Sequence, residues 1–360
     1  MVNIHDLAKV EACRRRHKID GYRLRQLRNA FYKKQATADG ALAELPDPGR
    51  TALADEVEFH ALRLHSRHDS QVDGATKLIF RTSQDLLIEA VILRMTTGRT
   101  ALCVSTQVGC AAHCSFCATG QMGIARNLSV AEILDQLIQA NQLLTAEGRT
   151  VRNLVFMGMG EPFHNEDQLY GALAVLSDGG CFNLNLKRVL ISTVGIPVAM
   201  VRCATQWPEV RLALSLHSAR EETRRKIMPI SERYSLNELR EALVRVAEVQ
   251  QHLVMIEYLM LKDVNDSMAD AEALIEYLQD IPVHINLIPY NPIDAAPHLV
   301  GSDRERREAF SERLKAAGFP VTTRYSLGAD IAAACGQLVR QEHRLQAAKS
   351  AAIQLDVSRR

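Results

Sequence analysis

The chain has 360 residues, 47% hydrophobic and 24% charged, with 43 basic against 42 acidic side chains and a formal net charge of +1. That balance fits a globular protein with one large domain and an appendage. No apolar run approaches the roughly 18 residues of a membrane helix, the Met-Val-Asn-Ile-His-Asp start lacks the apolar stretch of a signal peptide, and eight cysteines are too few for a disulfide scaffold, so a reducing cytosol is expected.

Residues 1–75 are expected to form a small helical domain. Tyr22, Leu24, Leu27, Ala30 and Phe31 recur at helical spacing. Between them and around them lie Arg14, Arg15, Arg16, Lys18, Arg23, Arg25, Arg28, Lys33 and Lys34, against only Glu11 and Asp20. Such a run is either a solvated helical surface or a patch that contacts phosphates. Asp47-Pro48-Gly49 breaks the pattern, and a second helix is expected over 52–64. A hairpin linker follows in 76–99, with strands at 77–80 and 86–95. Glu89 lies in the second strand, where an isolated Glu is ordinarily solvent-facing.

From residue 100 the rhythm changes. Apolar β-prone segments at 100–105, 153–157, 188–192, 211–216, 252–261 and 283–288 alternate with helical ones. The first helix opens on the capping box Ser129-Val-Ala-Glu132. Six strands alternating with helices predict a parallel α/β sheet, and a partial (β/α)6 barrel suits it over 100–345. No G-x-G-x-x-G follows the first strand, which leaves a dinucleotide fold little support. A polar tail is expected over 346–360.

After the first strand comes Cys110-Ala-Ala-His-Cys114-Ser-Phe-Cys117. Three thiolates at C-x3-C-x2-C spacing are suited to an iron–sulfur cluster with one iron left open for a small molecule. The alternatives are a zinc site completed by His113 and three unrelated core cysteines. Other polar features fall at strand ends: Gly158-Met-Gly160-Glu161-Pro162, Ser192-Thr193, Ser215-Leu216-His217 and Asn291-Pro292. Each alone has a structural explanation, such as a tight turn, a helix cap or a core histidine. In a barrel the C-terminal strand ends share one face, so together they predict one site. Cys335, in Ala-Ala-Ala-Cys-Gly-Gln-Leu, is either a packed small hydrophobe or an uncrowded nucleophile.

The cysteine spacing resembles the radical S-adenosylmethionine (SAM) signature. With Gly-Met-Gly-Glu-Pro, Ser-Leu-His, Tyr-Asn-Pro and Ala-Cys-Gly-Gln-Leu, nearly the whole chain resembles the RlmN/Cfr family of radical SAM RNA adenine methyltransferases. The resemblance implies one 4Fe-4S cluster on Cys110, Cys114 and Cys117. It implies SAM, two per turnover, held by Gly160, Glu161, Ser192, Ser215, Leu216, His217 and Asn291. It makes Cys335 the methyl-carrying cysteine and Cys103 the thiol that resolves the RNA adduct through a transient Cys103–Cys335 disulfide. Glu89 aligns with the family's proton acceptor across an extra residue near 95–98. The implied partners are 23S rRNA, with tRNA in some members, and an electron donor such as flavodoxin or ferredoxin, acting on a cytoplasmic monomer. The basic N-terminal domain resembles the family's RNA-binding domain. Gln121, Arg126-Asn127-Leu128 and Gly160-Glu161-Pro162 resemble the RlmN branch, which methylates adenine C2. Leu327, Ala329 and Ala332 depart from it, and Leu327 is apolar as in the C8-methylating Cfr branch. C2 is the favoured target. Outside this family the residues also admit a radical SAM enzyme with another substrate, or a non-catalytic RNA-binding iron–sulfur protein.

Overall fold

A computed structural model describes residues 1–338; the expected tail at 346–360 lies outside them. The N-terminal part contains strand β1 (Val2–Asn3), helices α1 (Leu7–Arg16), α2 (Gly21–Arg28), α3 (Ala38–Leu42) and α4 (Gly49–Glu56), and strand β2 (Val57–Glu58), which pairs with β1. Leu24, Leu27, Ala30 and Phe31 are buried as their spacing predicts, whereas Tyr22 is 55% exposed and lies against the Arg25 guanidinium. Glu56 ties α4 to α1 by accepting from Cys13 Sγ (3.3 Å), lying 2.7 Å from His17 Nε2 and pairing with Arg16.

The helix expected at 52–64 ends at Glu56. Residues 63–69 form instead the edge strand β3 (Arg63–Asp69), antiparallel to β4 (Ala75–Arg81), which pairs with β5 (Leu87–Arg94). These strands are not a separate hairpin. β5 pairs with β6 (Thr100–Cys103), and they continue into the main sheet.

After β6 come the short antiparallel pair β7 (Gln107–Cys110) and β8 (Gly123–Asn127), then α5 (Val130–Thr145), β9 (Asn153–Phe156) and α6 (Glu166–Ser177). The chain goes on through β10 (Val189–Thr193), α7 (Pro197–Gln206), β11 (Arg211–Ser215), α8 (Glu221–Ile227), α9 (Leu236–Val249) and β12 (Val254–Met260). It closes with α10 (Met268–Leu278), β13 (Val283–Pro289), α11 (Arg304–Ala316) and β14 (Val321–Thr323). The ten-stranded sheet runs β14-β13-β12-β11-β10-β9-β6-β5-β4-β3. Pairing is parallel from β6 to β14 and antiparallel from β6 outward to β3. The fold is thus the expected mixed α/β one, with six βα units and a further strand, β14, that the sequence did not announce. Parallel pairing requires helical crossovers, and it brings the C-terminal ends of β6 and β9–β14 to one end of the sheet.

Candidate active site

The loops at that end surround a cavity that is open to solvent at its mouth. Cys110, Cys114 and Cys117 line it, as do Gly160, Glu161, Ser192, Ser215, His217 and Cys335. Strand order thus brings the loop at Cys110 and the distant Cys335 to one cavity.

The cysteine loop is carried by the β7–β8 pair. Gly109, at φ +82°, permits it: a Cβ there would lie 1.9 Å from the Gly123 carbonyl oxygen. The loop is pinned from two sides. Ser115 N–H donates to Ile227 C=O (2.9 Å), and Ala118 N–H donates to Gly336 C=O (2.7 Å). Burial pushes Cys110 up to about 12 and raises Cys114 and Cys117 as well, and the Cys117 thiol raises the other two further. Three such thiols become thiolates where a cation compensates them. Among the described residues, only Cys13, His17 and Glu56 bring three donor atoms within 4.8 Å of one another. The sulfurs of Cys110, Cys114 and Cys117 are spread wider. A single zinc would hold its sulfurs about 3.8 Å apart, given Zn–S near 2.3 Å. His113 is exposed and absent from the cavity lining. Three cysteines and, among the described residues, no placed fourth protein ligand fit an iron–sulfur cluster with one open iron, and His113 is not positioned to complete a Cys3His zinc site.

Beside the loop, Gly160 takes φ +101°, and a Cβ there would lie 2.6 Å from Gln107 Cβ. The backbone therefore approaches both β7 and the cavity closely. Glu161 is buried, and its carboxylate accepts from Thr193 Oγ1 (2.8 Å), Val194 N–H (2.8 Å) and Phe163 N–H (3.0 Å). Burial raises it to about 7, and those three donors pull in the other direction. Ser192 and Ser215 hydroxyls lie 3.3 Å apart on adjacent strands. His217 takes φ +57°, and its Nδ1 accepts from Leu259 N–H (3.0 Å). Burial, with Arg224, lowers its pKa to about 3, so the ring is neutral with its proton on Nε2. Phe116 of the cysteine loop meets this ring edge-on at 4.8 Å.

Four expected residues lie off the cavity wall. Leu216 buries its side chain in the hydrophobic core; its N–H donates to Glu257 C=O (3.1 Å), and its carbonyl accepts from Arg224 Nε (3.2 Å) and Ser218 N–H (2.8 Å). Asn291 donates from its side-chain amide to Cys335 C=O (3.1 Å) and Ser326 Oγ (3.1 Å). Cys103 ends β6, buried, with its thiol raised to about 12 by burial and then by Cys335. Glu89 is fully buried on β5, with Oε2 3.8 Å from Lys77 Nζ. Cys335 itself is exposed to the cavity, yet the enclosing protein raises its thiol to about 11; Arg324 opposes the rise while Glu257 and Cys117 add to it.

Two charged residues of the cavity wall, Glu257 and Arg324, had no place in the sequence reading. Glu257 accepts from Asn286 Nδ2 (2.9 Å) on one oxygen, its other oxygen has no hydrogen-bond donor, and burial raises its pKa. Its one sequence signal is a lone carboxylate in the apolar run Val-Met-Ile-Glu-Tyr-Leu-Met. Arg324 follows β14, and its Nη1 reaches Met157 Sδ (3.5 Å).

Comparison with known proteins places this geometry. Residues 104–278 match the radical SAM superfamily. A probable RNA methyltransferase of Rhodopirellula baltica is 50% identical, over 96% of this chain and 90% of its own. A probable dual-specificity RNA methyltransferase RlmN of Thermus thermophilus is 41% identical, over 89% of each chain. The ribosomal RNA large subunit methyltransferase Cfr of Staphylococcus warneri is 35% identical, over 92% of this chain and 95% of its own. The crystal structure of a radical SAM methyltransferase from Sphaerobacter thermophilus superposes with a TM-score of 0.89 at 37% identity, covering 94% of this chain and 99% of that one.

Proposed function

The chain belongs to the RlmN/Cfr family of radical SAM RNA methyltransferases, and from that premise we propose that it methylates adenine C2 in 23S rRNA, and in tRNA, through Cys335 and Cys103. It is an RNA methyltransferase with a 4Fe-4S cluster and SAM as cofactors. Cys110, Cys114 and Cys117 hold the cluster; Gly160, Ser192, Ser215 and His217 face SAM. When bound, the reduced cluster and SAM together supply a hydrogen-abstracting adenosyl radical.

The protein's own residues do the rest. Cys335 loses its thiol proton and takes a methyl group onto sulfur. As a thioether it gives up one hydrogen atom and bonds through its carbon to the base, whose ring hydrogen leaves as a proton while one electron is returned. The Cys103 thiolate then attacks Cys335 sulfur. An S–S bond forms as the carbon–sulfur bond breaks, and the released carbon takes up a proton. A two-electron reductant restores both thiols. Arg324 favours the thiolate at both cysteines. The observation that supports the reading is that Cys335 shares one cavity with the three cluster cysteines and acts electrostatically on Cys103.

C2 is favoured over C8 by Gln121, Arg126-Asn127-Leu128 and Gly160-Glu161-Pro162, which resemble the RlmN branch. The enzyme works as a cytoplasmic monomer fed by a flavodoxin or ferredoxin. Among the described residues no helix is long and apolar enough to cross a membrane. Mass spectrometry of modified adenosines in rRNA and tRNA, from cells with and without the gene, tests the proposal. Gene-dependent 2-methyladenosine is expected. Gene-dependent 8-methyladenosine would move the enzyme to the other branch, and no gene-dependent methyladenosine would overturn the reading.

A further inference from the structure

The turn that carries Cys335 is held from outside the parallel barrel. Gly328 N–H donates to Asp73 Oδ2 (2.8 Å). Asp330 accepts from Ser70 Oγ (2.8 Å) and Gln71 N–H (3.0 Å). Lys77 Nζ donates to Ala332 C=O (3.0 Å). Every one of these partners lies in the β3–β4 connection or on β4 itself. Ala332 has a left-handed φ of +50°, which a non-glycine residue keeps only where its surroundings fix it.

Sheet register explains why this matters for Cys335. Lys77 pairs with Val91, Val91 with Cys103 and Cys103 with Val155. Residues paired across a sheet share a face, so Lys77 and Cys103 face the same side two strands apart, roughly 10 Å at about 4.8 Å per strand. Glu89, two positions from Val91, is on that face too. From Ala332 to Cys335 is three residues, a reach of about 10 Å. A lysine that fixes Ala332 therefore anchors the turn within reach of Cys103, on which Cys335 acts electrostatically. Both side chains are buried, and Lys77 Nζ lies 3.8 Å from Glu89 Oε2, so each can offset the cost of burying the other.

We propose that the antiparallel extension is the docking frame for the methyl-carrying turn, with Lys77 as its positioning residue and Glu89 as the counter-charge that keeps Lys77 in place. The proposal rests on the roles given above to Cys335 and Cys103. It gives Glu89 a function that needs no contact with the base.

The test is disulfide formation in the cluster-loaded full chain, without SAM or RNA. Diamide takes two electrons and two protons from Cys103 and Cys335, and peptide mass mapping follows the S–S bond over time. Lys77→Met should slow it by at least about tenfold, because small misplacements of reacting atoms have effects of that size. The double variant Lys77→Met/Glu89→Gln removes the buried charges together and should remain equally slow. Recovery of the wild-type rate in the double variant would show that Lys77 only balances Glu89, and would overturn the proposal. So would a wild-type rate in folded Lys77→Met. Asp330→Asn, at the surface, should slow the reaction about threefold, the size of one or two lost hydrogen bonds. It decides the matter if the Lys77 variants fail to fold, and an unchanged rate there would overturn the frame. A wild-type protein that forms the disulfide readily yet methylates no RNA would overturn the functional reading alone.

Discussion

The side-chain amide of Asn291 donates to the backbone carbonyl of Cys335 across 3.1 Å. The loop after β13 thus grips the reactive turn by its main chain and leaves the thiol unbonded. Gln337 repeats the arrangement from the other side, with Nε2 on the Pro292 carbonyl at 3.0 Å. Position is imposed on the backbone, which suits the two successive bonds that the proposed roles ask of the Cys335 sulfur.

The cluster is the first point to test. Anaerobically purified protein should contain about four irons and four sulfides. Changing Cys110, Cys114 or Cys117 to Ala should abolish both the iron absorbance and reductive SAM cleavage. A stable zinc-loaded protein with full activity would show the donor set to be misassigned.

Loss of Cys335 and loss of Cys103 should differ in kind. Cys335→Ala should give neither S-methylated protein nor methylated RNA. Cys103→Ala should still be methylated at Cys335 and then accumulate covalently bound to RNA, as a slow gel band that ribonuclease shortens. If either cysteine were merely packed, its loss would lower stability by about 1–3 kcal/mol and trap nothing.

The basic N-terminal patch divides into two groups. Arg14 pairs with Glu11, Arg16 with Glu56, and Lys33 Nζ bonds the Gly179 carbonyl (2.7 Å). Lys18, Arg23, Arg25 and Lys34 are exposed. Reversing these four should weaken RNA binding and reduce the salt slope by about one unit per lost phosphate contact. SAM cleavage without RNA should be unaffected. An unchanged slope would leave the patch as a solvated surface.

His5 predicts a pH dependence. Burial, and then the charge of His60, lower its pKa from 6.5 to about 3. Below pH 6.5 the unfolded ring takes up a proton and the folded ring does not, so stability falls as pH drops through that window toward 3. One such group contributes a slope of about 1.4 kcal/mol per pH unit. Urea unfolding between pH 7 and 5 should show a shallower loss for His5→Gln than for the wild type. Parallel losses in both would place the titration elsewhere.

What could be read from the sequence followed from how each signal is encoded. Parallel strands are buried on both faces, so β12 and β13 appear as apolar runs. β3 reads Arg-Leu-His-Ser-Arg-His-Asp and sits at the sheet edge with little burial, which left no periodicity to find. β14 is three residues long, too short for a pattern. Within the site, the cysteine triplet is local and therefore legible. Glu257 and Arg324 acquire meaning only when β12 and β14 arrive beside the cavity. Ser215 and His217 line the cavity, while Leu216, just past the end of β11, turns its side chain into the core, so any contact it makes with SAM would be through its backbone.

The hydroxyl of Thr119 in the cysteine loop donates to the carbonyl of Leu338 (2.7 Å), a partner 219 positions downstream. On the ribosome, N-terminal units fold first. A growing chain can therefore build the thiol-bearing loop and most of its βα units while the segment that covers them is still being made. Until the segment ending at Leu338 docks, the cysteine loop lacks the partners of Thr119 and Ala118 on that side. That docking comes late in the chain's order, so the loop bearing the three cysteines is completed by the same segment that carries Cys335.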